Sequence, residues 1–409
     1  MVTLSHEPFA KRLISELRSI TSIDADSGAV SFSGFTFDEH TCLLADLLQW
    51  NPELPSDEAR ARSSNALFEA SRSPGLTLDR YLAAANRLER EYLSKAPERY
   101  VLLSQVSIDG RVALPNAMLD GVTITFPKRV PASFEGAREP LMKSASHSLF
   151  APFPKGYRWV RASVAAKSAH AAAEKALSSI ELLTALWNLG LNRGKGIRWS
   201  SGRRKPVNAL ALSPVHTLHL PSGKAASEMW WYEPNYVGGS DIFRGEFDSP
   251  LRFANSVRER FAKLTYSAYI KDCVRYYGRA TGEADWASSF MLLWQALESV
   301  TDTSRSGYAG TVRRAAFLFD DVVYHTEVLE DLRRCRNELV HQQRDPASLE
   351  SKMYILKRYV EAGLVFHAAH AGHFRSLEEA GQFLDLPSDP KLLRRRLDIL
   401  EKAAKFRKS

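Results

Sequence analysis

The run Asp331-Leu-Arg-Arg-Cys-Arg-Asn-Glu-Leu-Val-His-Gln-Gln-Arg-Asp-Pro346 reads as the end of one helix and the start of the next. Pro346 stands five positions after His341. Proline cannot continue a helix but suits a first helical turn. The spacing therefore predicts a helix over Tyr324 to Gln342. Asp345 is the expected N-cap and Pro346 the first residue of a helix reaching about Ala369.

Working outward, everything from about Ser249 reads as helix. Pro250 opens a helix to Lys263, and others are expected over Ser267 to Tyr277, Ala284 to Thr301, Ala309 to Leu318 and Lys391 to Phe406. A block of about 160 residues has the size of one domain. Upstream, Tyr100 to Ile108 is rich in strand formers and ends at Asp109-Gly110, a hairpin-type turn. Further strands are expected over Val122 to Phe126, Arg158 to Val164, Val207 to Leu212, Thr217 to Leu220 and Glu228 to Tyr232, with a long helix from about Ala165 to Leu189 that stops at Gly190. Before position 97, helical spacing links Phe9, Leu13, Ile14 and Leu17, and again Leu43, Leu44, Leu47 and Leu48. Thr77 caps a helix through Leu93, and Gly34 and Pro52 to Pro55 are breaks. The expected architecture is α+β: a helical region over 1–97, an α/β middle domain over 98–248 and an all-α domain over 249–409.

Length and composition agree with two or three domains: 409 residues, 44% hydrophobic and 25% charged. The N-terminus lacks a basic segment followed by an apolar one, and no apolar run approaches the ~20 residues needed to span a bilayer. A cytoplasmic protein without membrane contact is expected. Three cysteines, Cys42, Cys273 and Cys335, suggest neither a disulfide framework nor a zinc site, and Cys335 reads as a buried helix cysteine rather than a nucleophile. His367, His370 and His373 recur every three residues, but the run contains no carboxylate and ends at Gly372, so they read as surface polar groups. Gly190, Gly194 and Gly196 lack the strand-loop-helix order of a phosphate loop. Neither a metal nor a cofactor is expected. Trp230, Trp231 and Tyr232 read as a buried aromatic strand, and His216 and His219 alternate on a strand without an assigned role.

Charge is unevenly distributed. The net value is +8, and residues 391–409 hold eight basic and two acidic residues. Residues 183–227 contain seven basic residues and no acidic one. Arg193, Lys195, Arg198, Arg203, Arg204 and Lys205 in this segment, with Arg394, Arg395 and Arg396 in the tail, are candidates for holding RNA phosphates.

Arg336, Asn337 and His341 carry the chemistry. Cutting RNA without a metal requires a base for the 2′-hydroxyl, a cation for the phosphoryl charge and an acid for the leaving 5′-oxygen. A guanidinium stays charged and grips phosphate bidentately, imidazole titrates near neutral pH, and Asn337 can bond phosphate or ribose. Residues five apart are rotated about 140° on an ideal helix. Arg336 and His341 then share a face only if the last turn loosens; otherwise a second copy of the chain completes the site.

With Trp294-Gln-Ala-Leu-Glu-Ser-Val300 on one helix, a short connecting helix near Arg313 to Leu318, then Arg-Asn-x-x-x-His and a long helix, the region 284–370 resembles the HEPN superfamily, more narrowly Apea-like HEPN domains. Arg336, Asn337 and His341 match the family's Arg-x(4–6)-His marker position by position. The strands and Ala-rich helix upstream resemble the corresponding part of Apea-like chains more diffusely. The resemblance implies a helical bundle and a metal-independent endoribonuclease acting as a homodimer. In bacteria such proteins serve phage defence or act as toxins that cut tRNA or other structured RNA. For the middle domain the expected roles are recognition of a phage-derived or host trigger, recognition of RNA, or keeping the nuclease silent. Glu298 occupies the place of the family's auxiliary acid, but Asp302 stands where a base is common four positions on. Gln343 replaces the tyrosine that a partner enzyme modifies in another branch. The alternatives from other classes are a non-catalytic RNA- or protein-binding module that dimerises through the bundle, and a sensor subunit acting on a separate effector.

Overall fold

The computed structural model describes residues 2–24, 29–34, 36–72, 75–149, 153–196, 205–233, 236, 241–304, 308–342 and 348–408. The chain is α+β, with fourteen helices and one six-stranded antiparallel sheet among the described residues.

The first unit comprises β1 (Thr3–Leu4), α1 (Glu7–Ser19), β2 (Thr21–Ile23), β3 (Val30–Phe32), α2 (Phe37–Leu47), β4 (Leu48–Gln49), α3 (Ser56–Ser71) and α4 (Leu78–Ser94). Ala10, Leu13, Ile14 and Leu17 form one helical stripe and meet Leu44, Leu67, Tyr81 and Leu88 in a separate apolar core. Thr77 caps α4 as expected, its hydroxyl accepting the Arg80 amide at 3.3 Å. α3 was not anticipated: its inner face is Glu58, Ser63, Ala66, Ala70 and Ser71 with a single leucine, so apolar periodicity does not mark it.

The middle contains β5 (Glu98–Val106), β6 (Ala117–Leu119), β7 (Val122–Thr125), α5 (Ala132–Leu149), β8 (Arg158–Ala166), α6 (Ala169–Asn192), β9 (Val215–His219) and β10 (Ala225–Tyr232). The strand order is β10-β9-β5-β8-β7-β6. The tight hairpin sits at Asp120-Gly121, not Asp109-Gly110. Both of its central residues take positive φ, 50° and 78°, as the primed turn between β6 and β7 requires. Residues 207–212 form no strand beyond a single bridge from Leu212 to Val106. The Asn188 side chain instead clamps the Leu210 carbonyl and amide at 2.9 and 3.0 Å. α6 continues past Gly190, because this glycine lets α6 approach the next helix: a Cβ here would lie 2.7 Å from the Pro250 carbonyl. The aromatic strand β10 is a half-exposed edge rather than buried, with Tyr232 60% exposed. α5 was also missed, since Gly136 and Pro140 interrupt its pattern.

From Asp248 every element is a helix: α7 (Asp248–Phe261), α8 (Ser267–Gly282), α9 (Trp286–Val300), α10 (Tyr308–Ala316), α11 (Val322–Gln342), α12 (Leu349–Ala369), α13 (Leu377–Leu384) and α14 (Pro390–Lys408). α6 packs on α7 and α8, while α9 packs on α8, α11 and α12. α12 starts three residues later than expected, with Ser348 as N-cap at φ 72°; Asp345 and Pro346 lie outside the described residues. One apolar core runs without a break from Tyr100 to Ala368, so position 248/249 lies inside it. Within this core the Lys357 ammonium, 0% exposed, donates to Glu361 Oε1 and to the Asn192 carbonyl, each at 2.8 Å. The Tyr277 hydroxyl donates to the same Glu361 oxygen at 2.6 Å. No helix among the described residues is long and apolar enough to cross a membrane.

Candidate functional site

α9 buries Phe290, Leu293, Trp294 and Leu297. One turn beyond Trp294, Glu298 stands at the margin of this apolar face. The Trp294 indole N–H donates to Glu298 Oε1 at 2.8 Å. Burial raises the Glu298 pKa above the usual carboxylate value, while the indole hydrogen bond and the positive charge of Arg336 pull it back down. Arg336 belongs to α11, which buries Leu329, Leu332 and Cys335 against the core. Lys352 of α12 pairs with Asp331 of α11 at 2.9 Å. Arg336 and Asn337 are both half-buried, and Arg336 Nη1 reaches Asn337 Oδ1 at 3.4 Å.

Glu298 therefore has a basic neighbour, but it comes from α11 and not from four positions along α9. Asp302 lies past the helix end in the left-handed region, φ 54°. The α9 C-terminus is closed around it by the Thr301, Thr303 and Thr311 hydroxyls and by Arg314, which donates to the Thr301 and Asp302 carbonyls at 2.8 and 2.9 Å. α13 fastens to the same arginine through Asp385 at 2.8 Å. A helix of eight residues with so polar an anchor carries little periodic signal, and it was not foreseen.

The His341 backbone lies in the last turn of α11, and its side chain is outside the described residues. α11 remains helical through Gln342. The last turn does not loosen, and positions 336 and 341 stay about 140° apart around the axis. Cys335 is buried as expected, and desolvation pushes its thiol up to about 11, a poor nucleophile at neutral pH.

Three of the expected phosphate-holding residues already have partners among the described residues. Arg193 stacks on Phe253 at 4.3 Å, Lys195 donates to the Val207 carbonyl at 2.5 Å, and Lys205 pairs with Asp241 at 3.0 Å. Arg198, Arg203 and Arg204 lie outside the described residues. Arg394, Arg395 and Arg396 are exposed on α14, whose Leu397, Ile399, Leu400 and Phe406 are exposed as well.

Two histidine readings change. His367 is not a surface group: it is buried, with Nε2 2.8 Å from the Val300 carbonyl and Nδ1 3.1 Å from the Tyr266 hydroxyl. It joins α12 to the end of α9. His216, without a role in the sequence, has Nδ1 2.8 Å from Ser104 Oγ and Nε2 4.0 Å from Glu233. Serine, histidine and carboxylate are in line, but Ser104 is 0% and His216 1% exposed, so no substrate reaches them and the group is structural.

Desolvation lowers both imidazoles, His216 to about 3 and His367 to about 4. Folding thus favours the neutral forms, while the unfolded chain takes up the protons below about 6.5. Their contribution is complete above that pH and is lost as pH falls toward the folded values. Urea unfolding is expected to show stability falling by about 1.4 kcal/mol per pH unit for each histidine between about pH 6 and pH 5. Stability equal at the two pH values would rule out buried neutral imidazoles.

No family model matches the chain, and no curated protein and no solved structure shows a significant match to it.

Proposed function

We propose that this chain is a metal-independent endoribonuclease of HEPN type, working as a homodimer in phage defence or as a toxin. The observation that supports this most is that α11 packs on α9 and brings the Arg336 charge close enough to act on the Glu298 carboxyl. These two residues stand far apart in sequence and lie on different helices. Glu298 holds the guanidinium in place, Arg336 takes the scissile phosphate, Asn337 positions substrate, and His341 does the acid-base work. The 2′-oxygen loses its proton and attacks phosphorus. The bond to the 5′-oxygen breaks, and that oxygen leaves protonated. The products are a 2′,3′-cyclic phosphate and a 5′-hydroxyl. Because positions 336 and 341 point about 140° apart, Arg336 of one chain works with His341 of its symmetry mate.

The same angular separation favours a second reading, in which the bundle dimerises and binds RNA without turnover. Purified protein incubated with total RNA, tRNA included, in excess EDTA separates the two. Cyclic-phosphate ends at defined positions are expected. Intact RNA, or cleavage that stops with EDTA, would refute the nuclease.

A further inference from the structure

The side of the six-stranded sheet turned away from α6 is only partly covered. Register places Met118 beside Thr123, Thr123 beside Ser163, Thr125 beside Arg161, Arg161 beside Leu103 and Trp159 beside Gln105. All of these side chains share one face, because directly paired residues project to the same side. α5 lies across β9 and β10, with Phe134 packed on Val101 and Leu103. The β8-β7-β6 portion stays open. Met118 is 72% exposed, Thr123 is exposed, and Trp159, Arg161, Ser163 and Thr125 are half-exposed. On the opposite side Val160, Ala162, Val164, Val122 and Ile124 are buried against α6.

Two arginines border this surface without a carboxylate partner among the described residues. The Arg138 guanidinium sits 4.8 Å over the Trp159 ring, and that of Arg161 sits 5.7 Å over Phe134. Nε and Nη2 of Arg138 and Nε of Arg161, all shielded from solvent, find no acceptor among the described residues. Partial burial without a counter-charge lowers the Arg138 pKa to about 10. A cation held this way gains from an anion brought to it.

We infer that the open β8-β7-β6 face binds single-stranded RNA. A base stacks on Trp159, the phosphates lie against Arg161 and Arg138, and ribose hydroxyls bond Thr123, Thr125 and Ser163. A flat antiparallel surface offering an aromatic ring, uncompensated guanidiniums and short hydroxyls suits an extended strand with splayed bases. It offers a stacked duplex only phosphate contacts. Since α6 separates this face from the helical block, the site is distinct from α9 and α11, and the inference stands apart from the nuclease reading.

The test is the affinity of a fluorescein-labelled single-stranded oligoribonucleotide, measured by anisotropy in EDTA on protein carrying Arg336→Ala so that nothing is cut. Trp159→Ala and Arg161→Gln are each expected to weaken binding about tenfold, and Arg161→Gln to reduce the salt slope by about one. Thr123→Glu changes an exposed side chain at no cost to the core and is expected to weaken binding similarly by repelling phosphate. If Trp159→Ala lowers the melting temperature, Thr123→Glu and Arg161→Gln decide. Affinities for both within about twofold of the parent would overturn the inference. So would polyglutamate or duplex RNA competing as well as the single strand, which would point to a protein or a duplex as occupant. Cleavage by the unmutated chain is scored separately. An inert chain whose RNA affinity falls in these variants keeps this face and loses the nuclease, whereas a cutting chain with unaltered affinity does the reverse.

Discussion

Arg336→Ala protein is expected to lose RNA cleavage by about a hundredfold to a thousandfold while melting close to the parent. The phosphoryl group gains charge as the 2′-oxygen attacks, and a half-buried guanidinium stabilises that charge more than water would. Removing Arg336 also removes one of the influences that offset the burial-raised pKa of Glu298; the carboxyl then protonates more readily, which limits the folding cost. His341→Ala is expected to lose cleavage to a similar degree through the missing proton transfer. The two inactive proteins are informative together. If each site combines Arg336 of one chain with His341 of the other, co-refolded Arg336→Ala and His341→Ala chains form a heterodimer with one intact site and one doubly defective site. Part of the parent activity returns. If both groups act within one chain, nothing returns. Initial rates on a labelled RNA distinguish these cases, and near-parent cleavage by either single variant would end the assignment.

The second large effect concerns stability. In the core between α6, α8 and α12, Lys357 is held by Glu361 and the Asn192 carbonyl, and Tyr277 shares the Glu361 oxygen. Glu361→Leu leaves an ammonium buried without its counter-ion. The expected loss is about 3–5 kcal/mol, against a total of about 5–15 kcal/mol for a folded protein. Lys357→Met is expected to cost a comparable amount by stranding the carboxylate. The double variant Lys357→Met/Glu361→Leu removes both charges and should recover most of the loss, less about 1–3 kcal/mol for the Tyr277 hydroxyl left without its acceptor. Guanidinium unfolding of the four proteins reads this cycle. Single variants within about 1 kcal/mol of the parent would mean that the pair contributes no coupling.

Local pattern was enough to place α1, α4, α6, α9, α11 and α12, because each repeats apolar residues at a helical interval along one side. It also placed Arg336 and Asn337 as neighbours on one helix, and marked β8 as a strand. It was blind to α3, whose inner face is small and polar, to α5, which contains a glycine and a proline, and to α13, which an ion pair fastens. The dipeptide Asp-Gly occurs at both 109 and 120, yet only the second turns a hairpin, because β5 pairs with β8 and β9 rather than with the strand that follows it.

Sequence by itself determined the α+β class, the order of helices in the C-terminal block other than α13, and the candidate groups Arg336, Asn337, His341 and Glu298. Tertiary structure alone decided that the charge of Arg336 on α11 acts on the Glu298 carboxyl of α9, that His367 is core rather than surface, and that α5 leaves part of the sheet open. The reason is physical: periodicity records which side of an element avoids water. Which elements share that interface depends on contacts between residues distant in the chain, and no local interval encodes them.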